Sequence, residues 1–80
     1  MKEITDEFIE DCEIVLGFNT KQWWIYSNIY DVYIDPPTEI LDKLREDYDT
    51  EEEQEAHLQE IIERKPSWLM DEQFWYDDIE

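Results

Sequence analysis

Twenty-four Asp and Glu residues against six Lys and Arg give the 80-residue chain a formal charge of −18. That surplus limits what it can fold into. A small domain needs a net magnitude of only about 2 to 8 for solubility, and an excess this large opposes compaction through self-repulsion. Acidic chains of this kind are often disordered, but disordered acidic segments are poor in aromatic and β-branched residues. Here Trp occupies positions 23, 24, 68 and 75, Tyr positions 26, 30, 33, 48 and 76, and Phe positions 8, 18 and 74, with Ile and Val between them. So much bulky apolar surface predicts a folded domain.

The length allows one domain, residues 1–80, with a modest core and a frayed C-terminal end. Cys12 is the only cysteine, which excludes an internal disulfide framework and fits a reducing compartment. Neither a secretory leader at the Met1 end nor an apolar run of about 18 residues is present, so the expected location is cytoplasmic, with no membrane partner.

Thr5 reads as an N-cap followed by Asp6 and Glu7, with Ile4 and Ile9 placed as a hydrophobic staple. Phe8, Ile9, Cys12, Val15 and Leu16 recur at helical spacing, which predicts a helix over 6–16 stopped by Gly17, the only glycine. Residues 14–30 contain no acid and are rich in aromatic and β-branched side chains, which is strand chemistry. A turn at Ser27-Asn28 would make a hairpin of 22–26 and 29–34. Pairing residues 13–18 with Trp23 onward would instead shorten the first helix. A helical reading of the same segment, leading to a small all-α bundle, also fits the spacing of Trp23, Tyr26, Tyr30 and Tyr33.

Asp35 or Thr38 caps a second helix with Ile40, Leu41, Leu44 and Tyr48 as its apolar stripe. Thr50 and Glu53 form a capping box for a third, with Leu58, Ile61 and Ile62 inward and Lys65-Pro66 as the stop. The expected class is α+β, an aromatic β-hairpin packed by amphipathic acidic helices.

Catalytic instruments are missing. His57 is the only histidine and lies in a polar stretch, Cys12 falls among apolar residues, and one glycine cannot build a phosphate loop. Asp47 to Leu58 begins like a calcium loop, but Glu52 stands where glycine is required and Leu58 where a bidentate Glu is required. The expectation is a protein that is not an enzyme and carries no cofactor or metal.

The acids are clustered. Residues 46–55 hold Glu46, Asp47, Asp49, Glu51, Glu52, Glu53 and Glu55 with no compensating base. Carboxylates three or four residues apart on a helix are separated by about 4.5 to 6 Å along its axis, and each DNA strand offers a phosphate about every 3.4 Å. Long Glu side chains bridge that difference. The tail, Trp75-Tyr76-Asp77-Asp78, adds interface-type aromatic anchors to acid. The expected partner-binding residues are therefore Asp47, Asp49, Glu51, Glu52, Glu55, Trp75, Tyr76, Asp77 and Asp78, with Asp6, Glu10 and Glu13 next in line.

In length, bulk charge, aromatic content and lack of catalytic groups, the chain resembles the small acidic inhibitors of phages and mobile elements, the nucleic-acid mimics that block restriction enzymes, CRISPR effectors or DNA-repair enzymes. That resemblance carries no motif and transfers no site residue. It implies an anti-CRISPR or anti-restriction type of inhibitor whose partner is a basic nucleic-acid-binding protein, with no direct binding of nucleic acid. The competing expectation is a general acidic interaction module, such as an immunity protein or small complex subunit.

Overall fold

A computed structural model describes residues 3–78; the expected fraying at the C-terminal end falls partly on residues 79 and 80, which lie outside them. The chain forms α1 (Asp6–Asp11), β1 (Cys12–Leu16), β2 (Trp23–Ser27), β3 (Val32–Ile34), α2 (Thr38–Asp47), α3 (Glu51–Glu63), two short 3-10 turns (Ser67–Met70 and Glu72–Phe74) and β4 (Trp75–Tyr76). The strands make one antiparallel sheet in the order β1-β2-β3-β4. The class is α+β, and the all-α alternative is excluded.

The first helix begins as its sequence predicts, with Thr5 Oγ1 accepting from the Phe8 amide at 3.1 Å. It ends at Asp11, not Leu16, so the shorter alternative holds. Phe8, Ile9, Cys12 and Leu16 satisfy helical spacing, but Cys12, Ile14 and Leu16 also alternate, and β2 decides between them. Ile14 pairs with Ile25 and Leu16 with Trp23, so strand pairing lets an apolar row meet an apolar row. Gly17 consequently opens the β1–β2 connection and caps no helix. Its amide donates to Gln22 O and its carbonyl accepts from Lys21 N, and a Cβ there would collide with the Thr20 hydroxyl and crowd the Trp24 indole.

The second hairpin turns over Asn28–Asp31, one residue later than the Ser27-Asn28 reading, and Asp31 takes the left-handed conformation with φ 52°. Ser27 is kept in β2 by an interaction no local pattern reveals. Its fully buried hydroxyl donates to Asp11 Oδ2 at 2.9 Å, the same oxygen accepts from the Ile29 amide at 2.9 Å, and Asn28 Nδ2 donates to the Asp11 carbonyl. One carboxylate thus ties the end of α1 to the β2–β3 turn.

Neither Asp35 nor Thr38 caps α2. Pro37 occupies the cap position and makes no side-chain cap bond; Asp35 instead accepts from Gln22 Nε2 at 2.7 Å and donates its amide to Phe74 O. Thr50 does cap α3, accepting from the Glu53 amide. That helix ends at Glu63, and Lys65 adopts φ 55° just before Pro66, where a further helical residue is sterically disfavoured.

Register divides the sheet into two unlike faces. Cys12, Ser27 and Val32 form one row and Ile14, Ile25, Ile34 and Trp75 the next; both turn toward the helices. There they meet Phe8 and Ile9 of α1, Leu41 and Leu44 of α2, Leu58 and Ile62 of α3, and Leu69, in one core. The opposite face carries the row Glu13, Tyr26, Tyr33 and Tyr76, with Val15 beside Trp24. Trp24 is buried yet belongs to no part of the helical core. All the helices therefore pack on one side.

Candidate partner-binding surface

The turn between α2 and α3 is built rigidly. Gln54 accepts from Trp23 Nε1 at 2.9 Å and donates to Tyr48 O at 3.0 Å, so one amide side chain fastens the turn to β2. The Tyr48 hydroxyl lies 3.1 Å from His57 Nδ1, with the two rings 4.9 Å apart. His57 is thereby half-buried, where its polar neighbours in the sequence suggest a solvated helix residue.

All seven carboxylates of residues 46–55 are exposed. Their positions relative to the helix ends differ. Glu51, Glu52 and Glu53 occupy the first turn of α3, where the helix dipole favours negative charge, whereas Glu46 and Asp47 occupy the last turn of α2, where it opposes it. Folding does not account for acids in that second place.

Along α3, Glu52, Glu55, Gln59 and Glu63 recur on one side. A groove of about 450 Å³ runs between that side and β1, lined by Cys12, Glu13, Ile14, Glu52, Glu55, Ala56 and Gln59. A second groove of about 300 Å³ is lined by Asp6, Ile9, Glu10 and Glu63. The two bring Glu13, Glu52, Glu55, Asp6, Glu10 and Glu63 to one side of the molecule. From Glu52 to Glu63 the helix advances roughly 16 Å at about 1.5 Å per residue, a length over which one DNA strand displays about five phosphates. Lys65 Nζ stands 2.8 Å from Asp6 Oδ1 and holds that carboxyl below the usual Asp range, by hydrogen bonding and by its charge.

The expected residues are thus partly gathered and partly dispersed. Glu52 and Glu55 share one surface with Asp6, Glu10 and Glu13, which lie far away in sequence. Asp47, Asp49 and Glu51 remain at the α2–α3 turn, outside the lining of either groove. Trp75, Tyr76, Asp77 and Asp78 sit at the β4 edge, while α3 packs against β1 at the other edge. Trp75 is half-buried on the core side, its indole donating to Leu69 O at 2.9 Å and its ring 5.1 Å from Tyr30. Tyr76 points to the opposite face and is 40% exposed; Asp77 and Asp78 are exposed.

Sequence reasoning missed the outer sheet face. Tyr26 and Tyr33 have ring centroids 5.0 Å apart, and Tyr76 meets the edge of Trp24 at 5.6 Å. The Tyr26 hydroxyl donates to Asp31, and this bond, with burial and the Asp31 charge, pushes the phenol up to about 12. Alternation within β2 was the available signal: Trp24 and Tyr26 fall between inward-facing Trp23, Ile25 and Ser27.

Burial, reinforced by the Asp11 charge, pushes the Cys12 thiol up to about 12. A thiol so placed is a poor nucleophile at neutral pH. Among the described residues no group of three His, Cys, Asp or Glu is placed to hold a metal ion, and no helix is long and apolar enough to cross a membrane. Comparison with protein families, with curated proteins and with solved structures finds no match.

Proposed function

We propose that the protein is a non-catalytic cytoplasmic inhibitor that occupies the basic, nucleic-acid-binding surface of a protein target, in the manner of anti-CRISPR or anti-restriction nucleic-acid mimics. The observation that carries this reading is the acidic surface formed where α3 meets β1 and α1. Six carboxylates from three elements line its two grooves, on a chain whose charge is −18. Such a surface attracts Lys- and Arg-lined grooves over long range and raises the association rate more than it slows dissociation.

The test uses the intact protein to capture its partner from the native host, followed by competition with a labelled duplex and a labelled single strand. Nucleic acid displaces the inhibitor, association slows steeply with salt, and replacing Glu52, Glu55 and Glu63 by Gln weakens binding while leaving the fold intact. A stable ternary complex of partner, inhibitor and nucleic acid with unchanged affinities would overturn the reading and favour a general acidic interaction module.

A further inference from the structure

The face of the sheet turned away from the helices is aromatic where an antiparallel sheet ordinarily carries polar residues. Tyr26, Tyr33 and Tyr76 stand directly opposite one another across β2, β3 and β4, a row of about 10 Å at the usual strand separation of about 4.8 Å. Trp24 forms the floor beside them. The row is bounded by carboxylates: Glu13 is the register partner of Tyr26, Asp31 holds the Tyr26 hydroxyl, and Asp35 follows β3 on the same side.

Flat aromatic platforms on sheets have three common uses. Nucleobases stack on them when a cationic groove holds the backbone, but here the surroundings are carboxylate, on a chain of net charge −18. Lys21 lies above the Phe18 ring in the β1–β2 connection, and one ammonium there does not offset that rim. Self-association through this face would press two acidic rims together. The remaining use is capture of a guanidinium, which is planar, stacks on aromatic rings and forks onto carboxylates, whereas an ammonium does neither as well.

We infer that the outer sheet face is a second docking surface, which receives arginine side chains of a basic protein partner on Tyr33 and Tyr76 and pairs them with Glu13, Asp31 and Asp35. This inference rests on the proposed function only in taking the partner to be basic. It adds a residue preference that an acidic groove alone does not supply. Asp35 fits the role: burial holds its carboxyl above the usual Asp range, and an incoming cation relieves that cost.

The test is a nuclear magnetic resonance titration of the whole protein with a blocked Gly-Arg-Gly-Arg-Gly peptide, its lysine counterpart and oligo-thymidylate, at physiological salt. The arginine peptide binds several-fold more tightly than the lysine peptide and shifts the Trp24 indole N–H and the Tyr33 and Tyr76 amides. Tyr76→Ala, together with Tyr33→Leu, erases the preference; Tyr33→Phe preserves it, and melting curves show each variant folded. Equal binding of the two peptides, shifts confined to the α3 grooves, tighter binding of oligo-thymidylate, or dimerisation through this face would each overturn the inference. Failure of nucleic-acid competition for the captured partner leaves this result standing, so the two ideas fail separately.

Discussion

Removing one particular carboxylate should destabilise this overcharged chain, although removing most others should not. Asp11 is the test position. Its Oδ2 accepts from the Ser27 hydroxyl and the Ile29 amide, each at 2.9 Å, and Ser27 is 0% exposed. Asp11→Ala leaves a buried hydroxyl whose remaining bond is acceptance from the Tyr30 amide at 3.3 Å. A hydrogen bond to a charged group contributes about 1.5 to 3 kcal/mol. The Ser27 bond deserves that full range, and the exposed Ile29 bond only a fraction of it. Better helix propensity returns about 0.5 kcal/mol, so the net loss is about 1.5 to 3 kcal/mol. At about 4 to 8 °C per kcal/mol for a domain of this size, Tm falls by about 6 to 24 °C. Glu55→Ala, which removes the same charge from an exposed helix position, should stay within about 0.5 kcal/mol of the parent. Urea and thermal melts of both variants, with Ser27→Ala and the double mutant completing a cycle, measure the difference directly. Equal stability of Asp11→Ala and Glu55→Ala, or a coupling between Asp11 and Ser27 near zero, would refute the reasoning.

Four further outcomes are expected. Tm rises between about 0.02 M and about 0.5 M salt, because screening weakens repulsion among exposed carboxylates; a flat or falling curve contradicts this. The raised Asp35 pKa means that the folded state binds its proton more tightly than the unfolded state, so this group adds stability as pH falls through its folded pKa toward 3.8. Asp35→Asn keeps an acceptor for Gln22, raises stability at neutral pH and removes that part of the pH dependence; an unchanged pH profile contradicts the assignment. The exposed Asp6–Lys65 pair runs the other way, since Asp6 is held below its usual value, but solvent screening leaves it a small share. Trp75→Ala lowers stability by about 2 to 3 kcal/mol, less than for a fully enclosed Trp, without changing partner affinity; retained stability with lost affinity would make it an interface anchor instead. Cys12, 8% exposed with its thiol at about 12, resists alkylation at about pH 8 until urea unfolds the chain, and rapid labelling of the folded protein would contradict its burial.

Local signals located most of the elements. Thr5 and Thr50 cap helices, Pro66 follows the end of one, and the acid-free stretch becomes strands. The misreading falls on Cys12–Leu16, where helical spacing and alternation coexist and only pairing with Trp23–Ser27 selects the strand. A contact so distant from local pattern is invisible to periodicity. Pro37 takes the cap position because Asp35 is engaged with Gln22 and Phe74. For the candidate surface, both the density of acid near α3 and the secondary set Asp6, Glu10 and Glu13 were legible, but not that the fold brings them together. Glu13 lines one groove with Glu55 and Glu10 lines the other with Glu63, neighbours that only the folded arrangement of α1, β1 and α3 creates. The aromatic outer face required the register itself.

Strand order also sets a sequence of events. β1 pairs with β2 and β2 with β3 through short connections, whereas β4 returns to β3 only after α2, α3 and both 3-10 turns have been traversed. Short closures lose less chain entropy than long ones, so the three-strand meander is the economical nucleus and β4 is the late closure. Changes that strengthen β4 therefore prolong the lifetime of the folded state while scarcely accelerating its formation. The Trp75 indole, bonded to the Leu69 carbonyl and close to the Tyr30 ring, belongs to that late closure, so Trp75→Ala should speed unfolding more than it slows folding.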